Sequence, residues 1–285
     1  MRAALDVDAS MAIVPTILGD LYVDDHGGGD KPVALLWPSL FTDHNMWRYQ
    51  LPALRDTGWR TLVLDPPGHG RSKGLDRPFT MDECAWAALQ VLDALNVHTP
   101  VLVLGTSWGG MIAPRIALRA PGRVRGMVLF NSTAESAAPL ERAKNILLTK
   151  MLAIGALDKP VDRMLLSLQL APETRRHKPE LGAELSRNFR SWNRRGLITT
   201  VRSVLVDRDS TLDALKHVKT PALVVSGKED TILPSSHSRR IAEQLQTARH
   251  VEVAGAAHLV PLEAPDAANQ LILDFVANLP RVQGS

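Results

Sequence analysis

Three side chains, far apart along the chain, carry the residue types of nucleophilic acyl transfer. Ser107 sits in Gly105-Thr106-Ser107-Trp108-Gly109-Gly110, a Gly-x-Ser-x-Gly pattern. An apolar run, Val101-Leu102-Val103-Leu104, leads into it, and a helix-like stretch, Met111 to Leu118, follows. That strand–turn–helix context lifts a serine hydroxyl out of the chain at the end of a strand, above the positive end of a helix. A hydroxyl is a weak nucleophile at neutral pH and needs a base in reach, with an anion to orient that base. His258, in the small-residue loop Gly255-Ala256-Ala257-His258, supplies an imidazole. Asp230, in Gly227-Lys228-Glu229-Asp230, supplies a carboxylate just past another apolar run; Glu229 beside it is the alternative, and the spacing to Pro234 favours Asp230.

For these groups to meet, the intervening elements must bring three strand ends to one edge. Ala12 to Leu18 and Leu21 to Asp24 read as strands around a turn at Gly19-Asp20, and Gly27-Gly28-Gly29 as a loose turn with no helix after it, hence no phosphate loop. Val33 to Trp37 is a continuous apolar run, the mark of a strand buried on both faces. A helix is expected from Met46 to Asp56 and a strand from Arg60 to Asp65. The next helix runs from Met81 to Leu95, with Thr80 and Glu83 spaced as a capping box. Cys84 lies in it, as a packed rather than a reactive residue. The strand before Ser107 and its helix come next, and then a strand from Val124 to Phe130. This alternation is the pattern of an α/β fold with a parallel, doubly wound sheet.

The alternation then breaks. Residues 133–212 hold only helix-like segments, Leu140 to Met151, Val161 to Leu170, Pro179 to Asn193 and Ile198 to Val206, before a strand returns at Pro221 to Ser226. A helix from Ser235 to Gln246, a strand from His250 to Val253 and a helix from Pro265 to Leu279 complete the chain. Residues 1–132 and 213–285 therefore form one core, interrupted by a helical cap inserted before the last strands.

Composition narrows the function classes. The 285 residues are 45% hydrophobic and 22% charged, ordinary for a globular protein, and the net charge is only +3. Short clusters such as Arg175-Arg176-His177-Lys178 and Arg239-Arg240 read as solvated helix faces, so a nucleic-acid partner is not expected. One cysteine permits no intrachain disulfide and suits a reducing compartment. Asp6 and Asp8 interrupt the apolar stretch a signal peptide would need, and no run approaches the ~20 residues of a spanning helix. A cytoplasmic protein with no membrane partner is expected; the oligomeric state stays open, a homodimer included. His44 beside Asp43 suits a substrate contact or a metal ligand, but no second ligand stands at the right spacing, so neither metal nor cofactor is expected.

Together the Ser107 turn, Gly68-His69-Gly70-Arg71-Ser72, the Asp230-to-Pro234 segment and the His258-to-Pro265 tail resemble the α/β-hydrolase superfamily along nearly the whole chain. The order Ser, Asp, His is the order of that family, and its helical lid corresponds to residues 133–212. The resemblance implies a serine hydrolase with Ser107, Asp230 and His258 as its triad. It also implies an oxyanion hole made by backbone N–H groups, one from Trp108 and the other from Ser39, with Leu40 as the fallback. Many members carry His-Gly where this chain has Trp37-Pro38, and Pro38 has no N–H to give. The segment from Pro38 to Trp47 is nearer the 3-oxoadipate enol-lactonase and small-esterase branch, with Phe41 in place of a glycine. His69 offers a second candidate base, but in that family this turn is usually structural. Met151, Met164, Leu168, Phe189 and Trp192 would line an acyl pocket or simply pack the lid. The implied substrate is a small carboxylic ester or lactone. Rival readings are carbon–carbon bond hydrolysis, perhydrolysis and ligand binding on a hydrolase scaffold. A serine nucleophile argues against the branches that use aspartate.

Overall fold

The computed structural model describes residues 9–280, so Asp6 and Asp8 lie outside the described residues. The chain opens on a hairpin, β1 (Ala9–Thr16) and β2 (Gly19–His26). Its two-residue turn is Ile17-Leu18, not the expected Gly19-Asp20. Gly19 instead begins β2 opposite Thr16, with φ at +79°, the left-handed residue that lets a short turn rejoin the ladder.

After β3 (Val33–Trp37), the expected helix from Met46 is split into a 3-10 turn at His44–Trp47 and α1 (Gln50–Asp56). Then come β4 (Arg60–Leu64), α2 (Met81–Ala94), β5 (Val101–Thr106), α3 (Trp108–Arg119) and β6 (Val124–Phe130). The capping box of α2 is formed: Glu83 N–H donates to Thr80 Oγ1 at 3.1 Å, and Thr80 N–H to Glu83 Oε2 at 2.8 Å.

Between β6 and β7 the described residues form helices joined by loops, with no strand. It runs through α4 (Pro139–Leu152), α5 (Asp158–Gln169), α6 (Pro172–His177), α7 (Pro179–Ser191) and α8 (Arg194–Val201). Helix α8 passes into a π turn at Arg202–Val206, where a single helix was expected. The chain closes with β7 (Ala222–Gly227), α9 (Ser235–Gln244), β8 (Ala248–Val253), α10 (Val260–Glu263) and α11 (Pro265–Ala277).

All eight strands form one sheet in the order β1-β2-β4-β3-β5-β6-β7-β8. The pairs β1·β2 and β2·β4 are antiparallel; every pair from β4 to β8 is parallel. The strand period of two divides the core between the faces. Leu35, Trp37, Val101 and Val103 pack on the side of α2 and α3, with Cys84, Ile112 and Ile116. Ala34, Leu36, Leu102 and Leu104 pack on the side of α1 and α11, with Leu54, Ala268 and Ile272. The central strands are buried along their whole length, which explains their unbroken apolar runs. Among the described residues, no helix is long and apolar enough to cross a membrane.

Candidate active site

The parallel strands end together, so β3, β5, β6 and β7 deliver their exit loops to one edge, where an open α/β sheet places its ligands. Ser107 leaves β5 with φ +52° and ψ −107°, a backbone state that costs a non-glycine residue about 1–3 kcal/mol. The turn is possible only because β5 and α3 come together without side chains. A Cβ at Gly105 would lie 2.2 Å from Gly109 C, and one at Gly109 would lie 2.1 Å from the Trp37 carbonyl oxygen. Ser107 N–H donates to the Phe130 carbonyl at 2.8 Å, and the Ser107 carbonyl accepts from Ser132 Oγ at 2.8 Å, so the end of β6 holds the turn. The hydroxyl itself makes no hydrogen bond with the described residues.

Asp230 and His258, from the exits of β7 and β8, do meet. The imidazole Nδ1 lies 2.8 Å from Asp230 Oδ2, and both residues are buried. An ionised carboxylate only accepts, so Nδ1 carries the proton and Nε2 is left free to take one. Asp230 Oδ1 accepts from the N–H groups of Ile232 (2.9 Å) and Leu233 (3.1 Å). Burial pushes this carboxyl up, but the charge and hydrogen bond of His258, with the Asn131 amide and the Leu233 N–H, outweigh it and hold the group below the usual carboxylate range. Glu229 is exposed and accepts only the Gly255 N–H, at 3.2 Å, so it does not contact the imidazole.

Sequence reasoning missed Asn131. It follows β6 with φ +47°, a state asparagine tolerates better than most residues. Its Nδ2 donates both to Asp230 Oδ2 and to the Ala257 carbonyl, each at 2.9 Å. One amide thus ties the carboxylate to the loop that carries His258. The available signal was its place: a polar residue directly after a buried strand, on the edge where Ser107 and Asp230 emerge.

The loop after β3 corrects one expectation. Ser39 N–H, assigned to the oxyanion hole, donates instead to Met46 Sδ at 3.3 Å, because the loop folds back onto the following turn. The N–H groups of Leu40 and Trp108 make no hydrogen bond with the described residues. The Trp108 N–H is an orphan of the first turn of α3. Phe41 takes φ +64°. Its N–H donates to His69 Nε2 at 3.0 Å, and the other ring nitrogen lies 3.0 Å from the Pro67 carbonyl.

With Nδ1 donating and Nε2 accepting, His69 is a neutral ring fixed in one tautomer, and full burial lowers its pKa to about 4. It holds the loop; it has no free nitrogen for base work. A folded-state value below the ordinary 6.5 means that this residue supports stability above pH 6.5 and loses that support as pH falls toward 4. By this linkage His69 alone should make the protein about 2 kcal/mol less stable at pH 5 than at pH 7. Urea unfolding at the two pH values should show this difference, reduced in His69→Gln. His44 is paired as well: its Nδ1 lies 2.8 Å from Asp65 Oδ1, which also accepts the His44 N–H at 2.8 Å. It is a strut of the loop between β4 and α2.

The helices between β6 and β7 cover this edge. Phe189 meets Phe41 edge-on with ring centroids 5.9 Å apart, and Trp192 lies against His69 at a tilt, with centroids 4.6 Å apart. Met151 packs against the same cluster, Met164 is half-buried, and Leu168 faces outward. Helix α8 meets the core at bare backbone: a Cβ at Gly74 would lie 2.5 Å from Gly196 Cα. Beside that crossing is a cavity of about 430 Å³ lined by Gly68, Lys73, Gly74, Trp192, Asn193 and Gly196.

Known proteins share this architecture. The family described as alpha/beta hydrolase fold matches residues 26–265. The "Putative carbamate hydrolase RutD" of Variovorax paradoxus is 29% identical over 266 residues, covering 91% of this chain and 97% of its own. The pimeloyl-[acyl-carrier protein] methyl ester esterase of Neisseria meningitidis is 28% identical over 246 residues, covering 82% and 89%. Among solved structures, the enol-lactonase of Burkholderia xenovorans superposes with a TM-score of 0.85 over 94% of this chain and all of its own, at 24% identity, a likeness of fold. Sheet order, the serine turn and a match across most of the chain agree: this protein belongs to the alpha/beta hydrolase family.

Proposed function

We propose that this hydrolase cleaves a small carboxylic ester or lactone in two acyl-transfer steps. One observation carries the reading: a buried His258–Asp230 pair 2.8 Å apart, on the strand edge where Ser107 is held at φ +52°. Relatives named for carbamate and methyl-ester hydrolysis support it, since each acts on an acyl carbon bearing a heteroatom.

Ser107 Oγ attacks the acyl carbon while His258 Nε2 takes its proton. The carbonyl π electrons move to oxygen, and the N–H groups of Leu40 and Trp108 receive that charge. Donors fixed in this way are each worth about 2.7–4 kcal/mol of activation free energy. Collapse of the intermediate expels the alcohol oxygen, which takes the proton back from Nε2–H. Water, deprotonated by the same nitrogen, then cleaves the acyl-enzyme to give the acid and free serine. Asp230 keeps Nδ1 protonated and stabilises the transient imidazolium. The bond from Ser107 to His258 forms in the reacting complex, as such bonds commonly tighten on binding. Residues 133–212 act as a lid over a core of residues 1–132 and 213–285. A single cysteine fits a cytoplasmic setting.

The experiment is direct. The purified protein should be labelled covalently by a fluorophosphonate and should turn over p-nitrophenyl acetate and a simple lactone, with product analysis giving alcohol and acid. Labelling without turnover of any ester or lactone would leave a binding protein. A ketone fragment or a peracid as product would move the chemistry to a rival class.

A further inference from the structure

The segment joining α5 to α6, Gln169 to Thr174, reaches the core through four hydrogen bonds, and all four bear on the site. The Gln169 carbonyl accepts the backbone N–H of His258 at 3.1 Å. Gln169 Nε2 donates to the Leu40 carbonyl at 3.2 Å. Ala171 N–H and the Thr174 hydroxyl both donate to Glu263 Oε2, at 2.7 and 2.9 Å. The other oxygen, Glu263 Oε1, accepts the N–H groups of Ala257 and Leu259, at 3.0 and 3.1 Å. Those two residues flank His258. Glu263 thus spends one oxygen on the peptides bracketing the imidazole and the other on the lid.

Neither contact is the cheapest way to pack. Gln169, Thr174 and Glu263 are all buried. A buried carboxylate is costly, and well-packed apolar residues would often hold such a joint as firmly. Burial pushes the Glu263 carboxyl up, opposed by the four donors around it. The peptide after Leu40 is pinned just as closely: Gln169 holds its carbonyl, and His69 holds its N–H at 3.0 Å. Phe41 stays at φ +64° under that double restraint, a state a free non-glycine residue would leave, turning Leu40 with it.

We infer that the α5–α6 corner is a positioning element that, through Gln169 and Glu263, fixes the oxyanion donor Leu40 and the base His258 together, so the site is complete only with that corner docked. This rests on the roles proposed above for Ser107, His258 and Leu40. Neither Gln169 nor Glu263 touches substrate; each acts through another residue. Misplaced donors weaken the transition state more than the ground state, so their loss falls on kcat rather than KM.

Three variants test it, by steady-state turnover of p-nitrophenyl acetate and by the rate of fluorophosphonate labelling. Gln169→Glu keeps the size and turns a donor into an acceptor facing the Leu40 carbonyl; Gln169→Leu removes the bond without charge; Glu263→Gln removes one acceptor oxygen. Each should lower kcat and the labelling rate about 10- to 100-fold, with KM within about threefold, the signature of lost alignment. Gln169→Leu with Glu263→Gln should be little worse than the poorer single variant, because both release one joint. If Glu263→Gln fails to fold, Thr174→Val removes one lid donor at nearly constant shape and should still lower kcat about threefold. Variants that fold and keep kcat within about twofold, or lose only KM, overturn the inference. Ser107→Ala separates the two layers. Labelling that survives it sinks the assignment of the site, whereas its loss beside unimpaired Gln169 and Glu263 variants sinks only the role of the corner.

Discussion

Ser107→Ala is expected to abolish fluorophosphonate labelling and to cut ester turnover by at least about 10⁴-fold, the scale seen when a hydrolase loses its nucleophile. The fold should not suffer. Among the described residues the Ser107 hydroxyl makes no hydrogen bond, whereas its backbone is fixed by Phe130, Ser132 and the start of α3. What the variant retains is the strain, because alanine dislikes φ +52° as much as serine does. Ser107→Gly should therefore be equally inactive and melt higher than Ser107→Ala, by about 1 kcal/mol of added stability. A thermal melt of the two variants beside the parent checks both halves. Full turnover in Ser107→Ala would remove the nucleophile from this residue.

The second large effect belongs to the carboxylate. Asp230→Asn should lower kcat about 10³- to 10⁴-fold, while Glu229→Gln stays within about twofold of the parent. In the aspartate variant an amide NH2 replaces one of the two oxygens, and one of its two placements is where Oδ2 now accepts from both His258 Nδ1 and Asn131 Nδ2. Turned that way it faces two donors, so the imidazole proton is driven from Nδ1 to Nε2, and the nitrogen needed as a base is blocked. Turned the other way it opposes the N–H groups of Ile232 and Leu233. Glutamine at 229 keeps the one acceptor that Gly255 uses. The variant should also change the acid limb of stability. Folding holds Asp230 below the ordinary carboxylate range, so its contribution is present at neutral pH and is lost as pH falls through the folded value. Steady-state kinetics on both variants would expose the reverse ranking, which would hand the orienting role to Glu229.

The difference between Ser39 and Leu40 shows where the sequence ran out. Matching the loop after β3 to relatives narrowed the choice to one stretch, and Pro38 could be struck out because it has no N–H. Which of two adjacent amides faces the site depends on one peptide orientation. That orientation is set by Met46, four residues past the loop's turn, and by His69 and Gln169 from two other parts of the chain. The hairpin turn moved for a related reason: Gly19 is needed for its positive φ at the strand's first residue, not as the centre of the turn.

By itself the chain determined the alternating strands and helices, the helical stretch between β6 and β7, the Gly-flanked Ser107 turn and the candidate carboxylate and imidazole. All of these follow from local rules: apolar period, capping spacing and the need for bare backbone where strand and helix touch. Only the tertiary structure decided what is bonded to what. It chose Asp230 over Glu229 for His258, brought in Asn131, turned Ser39 away, made His69 a neutral strut and tied Glu263 to both sides of the imidazole. Those outcomes include contacts between residues as far as 99 positions apart, Asn131 with Asp230. No local pattern encodes them, because each bond is fixed by how whole strands and helices pack before any single side chain finds its partner.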